Sequence, residues 1–448
     1  MRRYSSYKDS GVEWIGEIPS HWEETRLRYS GKLFGGLTGK SGDDFKQEDN
    51  PNNKPYIPYT NIFRNTYISK KHVDYVVIGD DENQNRVKKF DIFFLMSSET
   101  YQDLGKPCIL IEDVEELYLN SFCKGFRVSR DDVSPLFLNY QLLGDIHKEL
   151  ISIEGRGFTR INLRQDRLND TPILLPPLSE QEQIVSYLDR KTEGIDKLIQ
   201  TKERKIELLK EYRTSLISKV VTKGLNPNVK MKDSGVEWIG EIPNYYQIGK
   251  LKNLCKENQR NLSNSTDPNY ELQYIEISDV NSEGIINNST PYIFSESPSR
   301  CRRIVQKGDV IVSTVRTYLK SIGLIEEEVK DLICSTGFSV LTPNIEINPK
   351  YLFYLLRTEW FISMVISKSE GVSYPSIQSE KLMNIEVVFC KLSEQHEIVS
   401  YLDEQTQLID KNIQTEERKI ELLKEYRQSL ISEVVTGKIN VSNDEEVH

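Results

Sequence analysis

Long apolar runs are missing from these 448 residues. No stretch reaches the roughly 18 apolar positions that a membrane-crossing helix requires, so none is expected. The opening MRRYSSYKDS carries two arginines with no apolar segment behind them, which is not the pattern of a signal peptide. Cysteine is scarce and scattered. The six residues, at 108, 123, 255, 301, 334 and 390, form no Cys-x-x-Cys pair, so free thiols in a reducing cytoplasm are expected rather than disulfides or a structural zinc. There are only five histidines, and none sits in a carboxylate cluster that suggests a catalytic metal. A basic excess is also lacking. The net charge of −10 argues against nonspecific coating of DNA, although local basic surfaces remain possible on such a chain. Part of that acid lies in Glu326-Glu327-Glu328 and in Asp444, Glu445 and Glu446 near the end.

Motifs for chemistry are incomplete. Gly36-Leu37-Thr38-Gly39-Lys40-Ser41 approaches a phosphate loop, but the motif needs glycine at 34, where Phe34 stands. Pro176-Pro177-Leu178 lacks both ends of the Asn/Asp-Pro-Pro-aromatic run with which adenine methyltransferases grip an extruded base. Glu203-Arg204-Lys205 has nuclease-like letters, but it falls on a helical pattern with no strand aspartate nearby. The chain is expected to have no catalytic residues and no metal, and to guide chemistry performed elsewhere.

What the sequence does have is repetition. ERKIELLKEYRTSLISKVVTKGLN at 203–226 returns as ERKIELLKEYRQSLISEVVTGKIN at 417–440, a shift of 214 residues. LSEQEQIVSYLD at 178–189 returns at 392–403 with the same shift and 10 of 12 positions identical. KDSGVEWIGEIP at 8–19 returns unchanged at 232–243. So long a period is one module used twice rather than a solenoid. Ile195, Ile199, Ile206, Leu209, Leu216 and Val220 recur at helical spacing, as do Ile420, Leu423, Leu430 and Val434 in the second copy. This predicts a helix over 195–221, about 40 Å long, with Gly194 as a kink or division point. Ser179 with Glu182 forms a capping box after Pro176-Pro177, while Gly224, Pro227 and Gly437 are stop signals. A single apolar stripe must be buried, and the other copy is the natural partner. The competing reading packs each helix on its own domain.

The resulting domain map has residues 1–177 as a first domain with its lead at 8–19, and 178–223 as central framework helices. A second domain follows at 224–391 with its lead at 232–243, then C-terminal framework helices at 392–440 and a polar tail at 441–448. Trp14 and Ile15 are expected as buried anchors. Strands are predicted at 56–59, 72–78, 91–96, 108–112, 125–128 and 171–175 in the first domain, with a helix at 135–152. In the second they fall at 273–277, 310–315, 321–325, 338–341 and 386–389, with a helix at 349–367. The element order repeats while few residues match: the framework is fixed and the contents differ.

Pro-Pro-Leu-Ser-Glu-Gln at 176–181 together with Leu-Lys-Glu-Tyr-Arg-x-Ser-Leu-Ile at 209–217, each after a variable α/β insert, resembles the DNA-specificity subunit of type I restriction-modification systems. The resemblance covers essentially the whole chain. It implies an α+β fold with two α/β target-recognition domains, separated by a long antiparallel two-helix coiled coil with an internal pseudo-two-fold repeat. It implies a non-catalytic subunit that recognises an asymmetric bipartite sequence in double-stranded DNA. Its implied partners are two methyltransferase subunits and, for restriction, two motor-nuclease subunits. S-adenosylmethionine and ATP with magnesium are then expected on those partners, with no cofactor bound directly. The second copy departs from the pattern with Cys390-Lys391 in place of Pro-Pro, which predicts a looser entry to that helix. The alternatives are a coiled-coil interaction scaffold, a stand-alone DNA-binding regulator, or an enzyme with an unrecognised activity of its own.

Candidate DNA contacts follow from residue chemistry. Lys40 and Ser41 are placed to meet a phosphate. Arg156, Arg160 and Asn162 lie in a loop between helix and strand, and arginine and asparagine pair bidentately with guanine and adenine. Ser373 and Tyr374 hold the equivalent place in the second domain. The competing reading of both loops has them packing on the framework, with Phe158, Ile161, Tyr374 and Ile377 buried. Asn61, Arg64 and Arg316 are expected at strand ends, and Arg302 and Arg303, beside Arg300, as phosphate contacts.

Overall fold

The computed structural model describes residues 3–45, 49–236 and 238–442. The tail at 443–448, including Asp444, Glu445 and Glu446, lies outside the described residues. The chain divides into two compact units: residues 1–201 with 418–448, and residues 202–417. Each unit therefore takes half of each long helix, which a reading of the repeats alone does not suggest.

The first unit holds a five-stranded sheet in the order Gly31–Gly35, Cys123–Val128, Ile92–Leu95, Pro107–Leu110, Tyr67–Ile68. A three-stranded sheet pairs Tyr118–Leu119, Asn53–Ile57 and Asp74–Val77. Ile92–Leu95 and Pro107–Leu110 are buried at every position. Such continuous apolar runs suit strands covered on both faces. The second unit has two four-stranded sheets, one centred on Phe338–Pro343 and Val310–Ser313, the other on Glu271–Ile275 and Leu332–Ser335. In both units the strand before the long helix pairs antiparallel with a strand just after the lead. Pro172–Leu175 pairs with Glu23–Arg26, and Glu386–Phe389 with Gln247–Lys250. The lead itself is a hairpin in each, Tyr7–Asp9 with Glu17–Pro19 and Met231–Asp233 with Glu241–Pro243. Ile15 and Ile239 are buried, but Trp14 and Trp238 are 57% and 56% exposed, against the expectation for Trp14. Both tryptophans lie in the turn between the hairpin strands.

The long helices are Leu178–Lys223 and Leu392–Val435. The first has 46 residues, or about 69 Å. Gly194 does not divide it. A β-carbon there would meet nothing within 4 Å, so the glycine is an exposed position with full helical hydrogen bonding around it. Gly224 and Gly437, with φ of +73° and +72°, take the left-handed conformation that ends each helix. The predicted loose entry at 390–391 is not found. Gln395 Nε2 donates to Cys390 O at 2.8 Å, as Gln181 Nε2 does to Pro176 O, and both glutamines are fully buried.

The helices predicted at 135–152 and 349–367 are each broken in two. Pro135–Leu143 and Asp145–Ile153 flank Gly144, and Pro349–Leu356 and Glu359–Ser367 flank Arg357 and Thr358. A long-helix serine fills the break in each unit: Asp145 N donates to Ser432 Oγ at 2.7 Å, and Glu359 N to Ser218 Oγ at 3.1 Å. This supplies the first-turn acceptor that a helix needs. The same matching runs through the polar anchors. Tyr140 donates to Asp189 at 2.6 Å and Tyr354 to Asp403 at 2.7 Å. Arg427 meets Asp196 at 3.0 Å in the first unit, and Arg213 meets Asp410 at 3.1 Å in the second. In the second unit Lys202 and Lys205 both reach Glu416, at 2.8 and 2.9 Å. There Leu216, Ile217, Val220 and Val221 share one apolar core with Ile398, Leu402, Ile409 and Ile413, with Ile206 and Leu209 packed against it. Ile195, Ile199, Ile420, Leu430 and Val434 are buried and Leu423 is half-buried. All six cysteines are unpaired and buried.

Candidate nucleic-acid interface

Each unit closes its sheet with the same loop. In the first, Arg156 N donates to Asn162 O at 3.1 Å and Asn162 N returns the bond at 2.9 Å. In the second, Glu370 and Ser376 exchange the same two bonds at 2.9 Å. The 214-residue shift of the framework thus carries through the loop. Its turn needs a glycine in each copy: Gly157 and Gly371 have φ of +137° and +107°, and a β-carbon on Gly157 would lie 2.1 Å from Arg160 O. The tips are apolar and wholly exposed, Phe158 in one and Val372 in the other.

The contents of the shared frame differ. Arg160 lies over the ring of Phe122 at 5.3 Å, and Phe122 is 53% exposed. At the matching position stands Tyr374, 66% exposed, and the guanidinium of Arg316 lies over it at 4.8 Å. The loop supplies the cation in one unit and the ring in the other. Arg316 takes a left-handed backbone, φ +51°, held by its N–H to Pro375 O at 2.7 Å. Such a conformation is costly for a side-chain-bearing residue and persists where the surroundings fix it, often at functional positions. An exposed arginine against an aromatic face is a rigid donor fork beside a stacking platform, chemistry suited to bases and phosphates.

Residues 19–208 and 243–425 match the family described as the type I restriction modification DNA specificity domain. The chain belongs to that family. Among curated relatives, the Methanocaldococcus jannaschii type I restriction enzyme MjaVIII specificity subunit is 24% identical over 95% of both chains. The putative MjaX specificity subunit of the same organism is 26% identical over 95% of this chain and 96% of the relative. The fold is shared with a chain solved in work on complex assembly and conformational transition of the type I R-M system, at TM-score 0.70, 16% identity and coverage of 94% and 99%. The HsdS subunit from Thermoanaerobacter tengcongensis gives 0.52 at 16% identity, with coverage of 94% and 98%.

Within this specificity-family fold the other candidates take varied places. Ile161 and Ile377 are buried, as packing predicts, but Phe158 and Tyr374 are not. The loop base packs and its tip projects. Arg156 turns back to the carbonyls of Ile153 and Gly155, both at 2.8 Å, and Asn162 Nδ2 donates to Arg160 O. Ser373 is exposed beside Tyr374. Lys40 is paired with Glu82, whose carboxyl this bond holds down at about 2, and the Ser41 N–H donates to Asp44 at 2.8 Å. Asn61 and Arg64 lie not at a strand end but on a short helix, Tyr59–Arg64, because Pro58 closes the preceding strand in an extended conformation that starts the turn. Asn61 donates to His72 O at 2.8 Å, whereas Arg64 is exposed. Arg302 covers the Phe294 ring at 4.8 Å, and Arg303 donates to Asn261 at 2.9 Å. The sequence reading does not single out Phe122 or Val372, and it names Phe158 only as a packing residue. Carrying the 214-residue shift into the loop aligns Phe158 with Val372 and Arg160 with Tyr374, which brings out Val372. Among the described residues no group of three or more His, Cys, Asp or Glu side chains is placed to hold a metal ion.

Proposed function

We propose that the chain is the DNA-specificity subunit of a type I restriction-modification complex, each unit reading one half of an asymmetric, bipartite sequence in double-stranded DNA. The observation that carries this is the shared loop frame with unlike contents: Arg160 over Phe122 in one unit, Arg316 over Tyr374 in the other. A palindrome calls for two identical readers; these two differ in the residues they expose. Arg160, Arg316, Ser373, Tyr374 and Arg64 are the direct contacts in this reading. Lys40, Ser41, Asn61, Arg156, Asn162, Arg302 and Arg303 shape or flank the surface.

The two long helices act as an antiparallel spacer related by a pseudo-two-fold axis. The repeated ion pairs Arg427–Asp196 and Arg213–Asp410 support this reading, since each is the other displaced by 214 residues. Two methyltransferase subunits dock on the framework. In support, Leu208 and Tyr212 are 48% and 54% exposed at helical spacing, and their repeats Leu422 and Tyr426 are 47% and 48% exposed. Exposed apolar pairs of this kind mark protein contacts. S-adenosylmethionine stays with those subunits, and ATP and magnesium with the two motor-nuclease subunits that restriction adds. The test is a mobility shift and a methyl-transfer assay with purified chain, alone and with its methyltransferase. Specific binding and methylation that need both proteins support the reading. Methyl transfer by the chain alone would overturn its non-catalytic part, and no sequence preference with the partner present would overturn the whole.

A further inference from the structure

The lead hairpin is the block that repeats without change, KDSGVEWIGEIP at 8–19 and 232–243. Its turn is fixed alike in both units. Ser10 N donates to Gly16 O at 3.0 Å and Gly16 N to Val12 O at 3.1 Å. Ser234 N donates to Gly240 O at 3.0 Å and Gly240 N to Val236 O at 3.2 Å. None of these bonds uses an indole. Ile15 and Ile239 are the buried members of the turn, and Ile239 and Ile242 share one apolar core with Leu216, Ile217, Val220 and Val221 of the long helix. Trp14 and Trp238 nevertheless stay in solvent, 57% and 56% exposed, while the other two tryptophans, Trp22 and Trp360, are 0% and 7% exposed. A rigid turn that holds a large aromatic side chain in water gives up the stabilisation its burial would supply, and this chain does so twice.

The exposed surface continues along the helix. Leu208, Tyr212, Ser215, Lys219 and Thr222 are four, three, four and three residues apart, which puts them on one face over about 21 Å. The first four are exposed. That face ends at a cleft of 390 Å³ lined by Ser215, Lys219, Thr222, Trp238 and Trp360. The first unit repeats the face as Leu422, Tyr426, Ser429, Glu433 and Thr436, with Glu433 in place of Lys219 as its single change. Each hairpin is tied to the end of its helix: the Tyr7 hydroxyl donates to Gly437 O at 3.2 Å, and Lys223 Nζ donates to Glu241 O. The exposed charges flanking Trp14 are Lys8 and three acids, Asp9, Glu13 and Glu17; Lys232, Asp233 and Glu241 are exposed beside Trp238.

We propose, on the reading of the chain as a specificity subunit with two methyltransferase partners, that each lead hairpin anchors one methyltransferase subunit, which takes the exposed indole into an apolar socket with basic groups at its rim. Continuity selects this occupant: a subunit lying along the exposed leucine and tyrosine of the helix reaches the indole at the end of the same face. Two identical hairpins suit two copies of one partner, whereas the unlike loops suit unlike half-sequences. An exposed tryptophan inside a charged rim is the composition of an interface hot spot, and a turn already fixed loses little freedom on binding.

The test mixes the full chain with its methyltransferase, reading mass by light scattering after size exclusion and affinity by calorimetry. The wild type should carry two methyltransferase copies. Trp14→Ala and Trp238→Ala should each hold one copy as the wild type does and the other at least about tenfold more weakly, and the double variant should weaken both. Glu13→Lys with Glu17→Lys leaves the indole in place, should weaken the first unit's copy by reversing the rim charge, and serves if an alanine variant does not fold. No methyltransferase on the wild type would overturn the reading and this anchor together. Two copies held as tightly by the double variant as by the wild type would overturn the anchor alone. Loss of self-association or of motor-nuclease binding in the tryptophan variants, with methyltransferase binding unchanged, would give the hairpin another occupant and overturn the anchor too.

Discussion

Glu416 offers the sharpest test of the helix pairing. Its side chain is 5% exposed and receives Lys202 at 2.8 Å and Lys205 at 2.9 Å. Lys202 is the residue matched to Glu416 by the 214-residue shift, so two equivalent positions of the repeat meet in this pair. Glu416→Lys would leave three cations together where two were neutralised by one buried carboxylate. Breaking a buried pair by removing one partner costs about 3–5 kcal/mol, and reversal belongs at that end. Glu416→Gln keeps the shape and should cost less, about 1–3 kcal/mol, because Lys202 and Lys205 are 23% and 56% exposed and stay partly hydrated. The measurement is urea unfolding of each variant of the full chain, followed by far-ultraviolet circular dichroism. Adding Lys202→Glu to Glu416→Lys restores opposite charges and should recover more than half of the loss. Glu416→Lys unfolding within about 0.5 kcal/mol of the wild type, the ordinary range for a surface change, would refute the pairing.

Three further outcomes are expected. Burial holds His147 neutral down to about pH 4, below the 6.5 of a free histidine, so its contribution is full above pH 6.5 and lost as pH falls through 4. Stability should drop by roughly 3 kcal/mol across that window, and His147→Gln should flatten the slope; an unchanged slope would show that burial of this ring is not what titrates. Arg316→Ala should weaken discrimination at one position of a single half-sequence by about 1–3 kcal/mol, measured by competition binding with methyltransferase present, and uniform weakening on all sequences would make it a phosphate contact instead. Seven residues inserted into both long helices, after Thr201 and after Glu417, add about 10 Å. Methylation mapping should then find the gap between half-sequences longer by up to about three base pairs at roughly 3.4 Å each, both halves unchanged; an active variant with the old gap would mean the helices are not the ruler.

The framework was legible because its signals are local. Apolar residues at helical spacing between Pro177 and Gly224 give the long helix, and the terminating glycines act through backbone conformation alone. Gly194 misled the reading because propensity counts its cost at about 1 kcal/mol, which tertiary burial of Ile195 and Ile199 overrides. The breaks at Gly144 and Thr358 depend on Ser432 and Ser218, 287 and 141 positions from the residues they bond, Asp145 and Glu359, and no local pattern carries that information. The same holds for the candidate interface. Arg160 and Tyr374 stood out by residue type, but Phe122 reaches Arg160 only through the fold. Lys40 and Ser41 looked free until Glu82 and Asp44 were placed beside them.

Two unlike readers on one repeated frame is the central claim, and mapping the methylated bases of the host genome, with this chain as its only specificity subunit, tests it most directly. The account predicts one motif made of two different half-sequences, centred about one duplex turn apart, roughly 34–36 Å, with unspecified base pairs between them. A continuous motif, or a perfect palindrome, would contradict it.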